Sequence, residues 1–333
     1  MRPVFVPSLL HEPTGDPGLW IDLFDENRAI LVDLGDVSGL ATRKLLRVER
    51  VFVTHTHIDH FIGFDRLLRM ILARDRELVL TGPPGFLACV RGKIAAYTWN
   101  LISAYPVRIR AEEVDGGVVR SETYAGIDGM APQPAPDRPF DGALHAERLY
   151  TAHAAVLDHG IPVLGFAVRE TERLAVNRDR LERLGLKPGP WLRDLKQAVR
   201  RCEPPDTPVL AEAADGPARA FRMAEIAGEI LIRTPGQRIV YVTDFRFTPD
   251  NVDRVVALAH GADLLVCETM FAHDDEPLAR ERGHLTARQA GEIARLAEVR
   301  RLAPFHLSPR YKGREREVFA EAAAAFGGPI AEL

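Results

Sequence analysis

The chain is short of cysteine. Only Cys89, Cys202 and Cys267 occur in 333 residues, far apart and never as a CxxC pair. An odd, scattered set excludes a disulfide framework and a cysteine zinc site, and leaves small buried or incidental residues. No stretch approaches the ~20 apolar residues that a membrane helix needs, so no membrane span is expected. The opening MRPVFVPSLLHEP lacks a long apolar run followed by a small-residue cleavage site. No signal peptide is therefore expected, and a cytoplasmic location is. Charge of one sign is also missing: Lys and Arg total 43, Asp and Glu total 47, and the net charge is −4. That balance excludes a uniformly basic protein held to nucleic acid by bulk charge, but not a local basic feature. Hydrophobic residues at 46% and charged residues at 27% describe a folded globular chain of one large domain or two smaller ones.

What is present begins with short apolar strands. LWIDLF and AILVDLG flank the turn-rich DENR, a hairpin pattern. RVFVTH is a buried strand ending in polar residues, and residues 61–73 carry apolar side chains at helical spacing. LVLTGPPG gives a strand and turn, and 86–101 reads as a helix. VRIRAEEV, VVRSETY, AERLYTAH and PVLGFAV are further strands, while 126–142, rich in Pro, Gly and Asp, reads as a surface loop. EILIRT, RIVYVTD, LLVCET and RLAPFHL are strands of the second half, with helices expected over 249–260, 286–298 and 314–326. Two strand-then-helix halves are visible. Residues 176–201 stand apart, with eight Lys and Arg against three acidic residues and a Gly-Leu-Lys-Pro-Gly-Pro break. This segment is net +5, so the remainder is net −9. Such a segment is either a solvated helical hairpin or an arm that touches a polyanion.

The sharpest feature is THTHIDH, directly after a buried strand, which packs His55, His57, Asp59 and His60 into six residues. Imidazole and carboxylate are the natural donors for zinc and related divalent ions. Four donors exceed what one catalytic ion with an open position needs. Two ions is the economical reading, with His55 and His57 on one, Asp59 and His60 on the other. Two ions ~3.5–4 Å apart need further donors and a bridging carboxylate. Strand ends offer His153, His159, Asp244 and His306. Asp59 would ligate metal and also orient or accept the proton of the nucleophile. Arg310 and Lys312, just after His306, are either phosphate contacts or exposed residues.

THTHIDH resembles the signature of the metallo-β-lactamase superfamily, and within it the chain resembles ribonuclease Z over most of its length. The resemblance implies an α/β fold: a four-layer αββα sandwich over 1–333, with a small basic helical arm inserted at 171–205. It selects His159 over His153 from LDHGIPVLGFAV, Asp244 as the bridging carboxylate from YVTDFRFTPDN, and His306 from LAPFHLSPRY. LLVCETMF and RGHLTARQAGEIA place the functional Glu268 and His284, which would protonate the leaving oxygen. LERLGLKPGPWLRDLK resembles the Gly-Pro segment of a tRNA-binding arm, so Lys187, Gly189, Pro190 and Lys196 become substrate-binding candidates beside Arg310. Trp191 in the same segment either stacks on a base or anchors the arm.

The implied activity is a zinc-dependent endoribonuclease that cleaves tRNA precursors at the 3′ end. Its cofactors would be two divalent ions, zinc first and manganese next. Its expected partners are RNA and a second copy of the chain. In-line attack would leave a 3′-hydroxyl and a 5′-phosphate. There are departures from the family pattern: VFVPSLLHEP replaces a Gly-Thr-Gly strand end, DLGDVSGL an acidic Gly-Glu-Gly-Thr run, Cys267 a His, and Leu285 a small residue. They keep a small-molecule phosphodiesterase on the same site as the alternative. A non-catalytic RNA-binding scaffold is the third reading, and the full donor set opposes it.

Overall fold

The computed structural model describes residues 5–24 and 26–333. The first four residues of the opening segment and Asp25 of the DENR turn lie outside them. The described chain divides into two compact units.

The larger unit takes Phe5–His145, Ala152–Val168 and Arg238–Leu333. Its first sheet has eight strands in sequence order: Phe5–Leu9, Leu19–Leu23, Arg28–Val32, Val48–Phe52, Glu77–Gly82, Arg108–Asp115, Val118–Ala125 and Gln133–Pro139. The four strands from Arg28 to Asp115 run parallel, and the pairs at both edges are antiparallel. The central parallel strands are apolar almost throughout because both of their faces are covered. Helices Phe64–Ile71 and Phe86–Ala95 pack on one face through Phe64, Leu67, Ile71, Phe86 and Val90.

The second sheet orders its strands Leu302–Phe305, Leu264–Glu268, Arg238–Val242, Pro162–Glu170, Tyr150–Asp158 and Ala143–Ala146. Its first three strands are parallel. Helices Pro249–Ala259, Ala287–Leu296 and Glu315–Phe326 cover it through Val255, Ile293, Val318 and Phe326. The remaining faces of the two sheets meet, as where the Phe52 and Phe166 rings lie 5.1 Å apart. The result is the αββα sandwich that the resemblance implies.

Three local expectations are corrected. The helix expected over 86–101 stops at Ala95, where the Trp99 indole donates to the Ile94 carbonyl at 2.9 Å and satisfies the helix end. The loop expected over 126–142 contains the strand Gln133–Pro139. Its prolines are tolerated because it lies at the sheet edge, where only one side of the backbone pairs. The strand read from EILIRT begins only at Leu231, because Met223–Ile230 is a helix with Met223, Ile226 and Ile230 buried at helical spacing.

The smaller unit includes Ala146–Thr151 and Arg169–Gln237. Helices Arg178–Arg183 and Trp191–Arg200 form the helical pair expected around the Gly-Pro break. The unit also contains helix Met223–Ile230 and two antiparallel pairs, Arg173–Val176 with Leu231–Thr234 and Pro208–Ala211 with Arg219–Arg222. A core of its own joins Leu181, Leu186, Trp191, Leu195, Ile226 and Ile230. The segment expected as an arm at 171–205 therefore falls inside a longer compact body.

Candidate metal centre

Every donor group sits where a strand gives way to a loop. After strand Val48–Phe52 the chain turns into the short helix Ile58–Phe61, and this turn carries His55, His57, Asp59 and His60. The turn is seated by two glycines: a Cβ on Gly63 would lie 2.3 Å from the Gly35 carbonyl oxygen, and one on Gly35 would lie 2.8 Å from the Asp59 oxygen. His159 sits at the tip between strands Tyr150–Asp158 and Pro162–Glu170. Asp244 follows strand Arg238–Val242, and His306 follows Leu302–Phe305. These last two are at carboxyl ends of parallel strands, the usual ligand position of open α/β sheets.

The side chains converge on Asp244. Its Oδ2 lies 3.4 Å from His55 Nε2, 3.4 Å from His60 Nε2 and 3.9 Å from His159 Nε2. Its Oδ1 is 2.9 Å from His306 Nδ1. Asp59 Oδ2 is 3.6 Å from both His60 Nε2 and His306 Nε2. Donor atoms thus fall into three overlapping groups: His55, His57 and Asp244; Asp59, His60 and His306; and Asp244, His306, Glu268 and His284. His55 with His57, and Asp59 with His60, is the same division that the spacing in THTHIDH suggests.

The residues fit divalent ions. His55 Nε2 and His60 Nε2 are buried and have no hydrogen-bond partner, a costly state for a polar atom unless something else binds it. The opposite ring nitrogens are occupied. His60 Nδ1 donates to Asp33 Oδ2 at 2.9 Å, and His159 Nδ1 donates to the Gly283 carbonyl at 2.8 Å. Thr54 Oγ1 donates to Asp33 and lies 3.1 Å from His55 Nδ1. Each contact leaves the Nε2 lone pair free to point at the cavity. Burial, with His60 adding to it, drives the His55 pKa down to about 2, so that ring is neutral and able to ligate. Burial opposes charge on His306 too, but Asp244 outweighs it and lifts that pKa to about 9. Asp59 is held at about 2: burial raises it, and the hydrogen bond from His306 together with the charges of His60 and His306 more than reverses this.

A Beta-lactamase superfamily domain profile matches residues 194–307. Among solved structures, the metallo-β-lactamase fold protein YhfI of Bacillus subtilis aligns over 98% of this chain and 95% of its own, with a TM-score of 0.57 and 14% identity. The short form of human tRNase Z aligns over 91% of this chain and 93% of its own, at 0.52 and 19%. At these identities the likeness is one of fold. The curated relatives are nearer. Ribonuclease Z of Deinococcus radiodurans is 30% identical across 96% of this chain and 95% of its own. That of Gemmatimonas aurantiaca is 32% identical across 97% and 90%. The chain belongs to the ribonuclease Z family.

The Glu268 and His284 side chains meet in space. His284 Nδ1 donates to Glu268 Oε2 at 2.8 Å and lies 3.9 Å from Asp244 Oδ1. Glu268 is fully buried, and its other oxygen accepts from Phe245 N at 3.1 Å. Burial alone would lower the His284 pKa, but the Glu268 carboxylate overrides it and the net shift is upward. Gly283 has φ 76°, and a Cβ there would come within 3.0 Å of His159 Nδ1, so glycine is required.

Other candidates fall elsewhere. His153 is exposed on its strand and is not among the groups around Asp244. Arg310 lies 5.5 Å above the Phe271 ring and pairs with Asp275 at 3.1 Å. Phe271 in turn stands 6.2 Å from the His284 ring. Lys187, Gly189, Pro190 and Lys196 belong to the smaller unit, where Lys187 pairs with Glu212 at 3.7 Å. Trp191 is 6% exposed and donates to the Lys187 carbonyl, so it anchors that unit.

Asp33 was not anticipated. It is fully buried and accepts from Thr54 N, Thr54 Oγ1, His60 Nδ1 and, at 3.1 Å, the Tyr241 hydroxyl. AILVDLG shows only a carboxylate after a buried strand, with nothing in the spelling to tie it to Thr54 or His60.

Proposed function

We propose that this chain is a dinuclear metal-dependent endoribonuclease that cleaves tRNA precursors at the 3′ end. The observation that carries it is the His284–Glu268 pair, 2.8 Å apart and set against Asp244 in a ribonuclease Z relative. We assign His55, His57, His159 and Asp244 to one ion, and Asp59, His60, His306 and Asp244 to the other. Zinc is the first choice for this imidazole and carboxylate set, with manganese next. Bound there, the ions would activate a water and neutralise charge developing on the phosphate.

The protein's own groups do the rest. Asp59 is half-buried, carries a charge at neutral pH, and accepts the proton of the attacking water. His284, kept protonated by Glu268, gives a proton to the departing oxygen. Glu268 fixes the imidazole by accepting from Nδ1, which leaves Nε2 to face the leaving group. Arg310, held over Phe271, supplies a cation for a neighbouring phosphate. Lys187, Gly189, Pro190 and Lys196 form the substrate-gripping part of the smaller unit. We also infer a homodimer in the cytoplasm.

The test is a substrate panel on zinc-loaded protein, with a model pre-tRNA beside a small phosphodiester. Deleting 176–201 would be a poor variant, because it removes Leu181, Trp191 and Leu195 from a core that Ile226 and Ile230 share. Replacing the exposed Arg183, Lys187 and Arg193 with Ala keeps that core. The proposal expects these changes to weaken RNA cleavage and leave the small substrate unaffected. Equal loss on both, or hydrolysis of the small ester alone by the native chain, would favour the phosphodiesterase reading.

A further inference from the structure

We propose that Asn251 is a positioning residue that locks the His159 loop onto the Asp244 loop and so sets the affinity of one of the two metal positions. The inference rests on the assignment of those two residues as ligands. Asn251 is 2% exposed, on the first turn of helix Pro249–Ala259. Its amide makes three hydrogen bonds. Nδ2 donates to the Asp158 carbonyl at 2.9 Å and to the Arg246 carbonyl at 2.8 Å, and Oδ1 accepts from Asp158 N at 3.0 Å.

Those partners define the amide's orientation. A flipped amide would set its oxygen against two carbonyls and its NH2 against an N–H. They also lie beside the ligands: Asp158 immediately precedes His159, and Arg246 is two residues after Asp244. One backbone bond, Arg246 N to Asp158 O at 2.9 Å, directly joins the same two loops. Around it, the Asp158 carboxylate accepts from Gly160 N at 2.7 Å and pairs with Arg246 at 3.3 Å on the exposed side. Asn251 is the buried half of this seam. Without it, the loops that place His159 Nε2 and Asp244 Oδ2 3.9 Å apart keep one backbone bond and a solvated ion pair between them, beside the pairing of their flanking strands. Groups that orient metal ligands in this way are worth about 10–100-fold in metal affinity. The effect should be selective: His159 serves one position only, Asp244, shared by both, is also held by Thr243 Oγ1 at 2.7 Å, and Asp59, His60 and His306 rest on other contacts, chiefly through Asp33 and Thr243.

The test is zinc titration of the full-length chain against a competing chelator dye, for the native protein, Asn251→Ala and Asn251→Asp. The aspartate keeps the volume and the acceptor but removes both donated bonds, so it stands in if the alanine variant does not fold. Thr248→Ala is the control. The Thr248 hydroxyl caps the same helix through Asn251 N and makes no bond to either loop, and the backbone bond from Thr248 N to the Arg246 carbonyl survives the substitution, so its loss tests the helix cap by itself. The expected result is two tight zinc ions in the native chain and in Thr248→Ala. In both Asn251 variants one tight ion should remain and the other weaken by about tenfold or more. Their kcat should recover at high zinc with KM unchanged. Two ions of native affinity in the Asn251 variants would overturn the clamp while leaving the ligand assignment standing. A native chain that binds fewer than two zinc ions would overturn the ligand assignment and the clamp with it.

Discussion

Asp33, Asp244 and His306 all hold positive backbone angles, with φ of 62°, 52° and 54°. Left-handed conformations at non-glycine residues cost of order 1–3 kcal/mol each and persist where surrounding contacts over-determine them. Here those contacts are the hydrogen bonds that aim imidazoles at one point. Removing a ligand should therefore be severe: His57→Ala or Asp244→Ala is expected to abolish hydrolysis and lower bound zinc, read by elemental analysis beside activity. Normal turnover with an empty site would sink the two-ion reading. Glu268→Gln should keep the hydrogen-bond geometry but lose the charge that holds the proton on His284. We expect a fall in kcat of about 100-fold, the scale of a single acid–base group, with zinc content unchanged. A loss of zinc instead would make Glu268 a structural support of the site. The donor cluster was legible in the sequence because THTHIDH concentrates four donors within six residues. Asp33 and Asn251 were not, since each acts through backbone or ring contacts with residues far away in the chain. A single polar residue at a strand end or in a helix carries no such pairing in its spelling.

At the level of elements, the surprise is the smaller unit. Residues 176–201 are rich in Arg, but Arg169–Gln237 as a whole holds thirteen basic and eleven acidic residues. Several of the cations are paired, as Lys187 is with Glu212 and Arg233 with Glu172. The proposed grip on a polyanion would thus rest on a few exposed cations rather than on a basic surface. RNA cleavage should fall with rising salt, each phosphate contact contributing to the slope of log affinity against log salt. A flat salt response would remove the unit from substrate binding. Trp191→Ala should cost about 3–5 kcal/mol of this unit's stability, the usual range for a buried aromatic. Limited proteolysis confined to 169–237, with zinc binding intact, would show it. The helical pair was readable from its charge pattern and Gly-Pro break. Helix Met223–Ile230 was not, because its apolar residues run straight into those of the strand Leu231–Thr234 and the two periods blur.

Across the whole molecule, the two sheets of the larger unit share a buried polar contact. Arg50 on the first sheet lies 3.0 Å from His145 Nδ1 on the second. Burial, with the Arg50 charge adding to it, pushes the His145 pKa down to about 4. The folded state therefore refuses a proton that the unfolded chain takes up near pH 6.5. The stability this neutral histidine contributes is fully present above about pH 6.5 and is lost as pH falls toward 4. The native chain should lose more melting temperature than His145→Gln between about pH 7 and about pH 5. Equal losses would show that His145 does not carry the effect. Two strand-then-helix halves were legible, but the sandwich itself came only through the resemblance carried by THTHIDH and the later motifs. Which strands pair was not, since register depends on contacts such as this one between distant segments.

The donors around Asp244 run from His55 near the start of the chain to His306 near its end. Even the loop beyond His306 is tied back to the beginning, where Leu307 N donates to the Pro13 carbonyl at 2.7 Å. Assembly of the centre is therefore a late event in time. A chain still being synthesised already displays THTHIDH, yet lacks the carboxylate and the last imidazole that would complete either position. On the proposed function, an unfinished chain on a ribosome, surrounded by RNA, would hold no complete position with which to cut it.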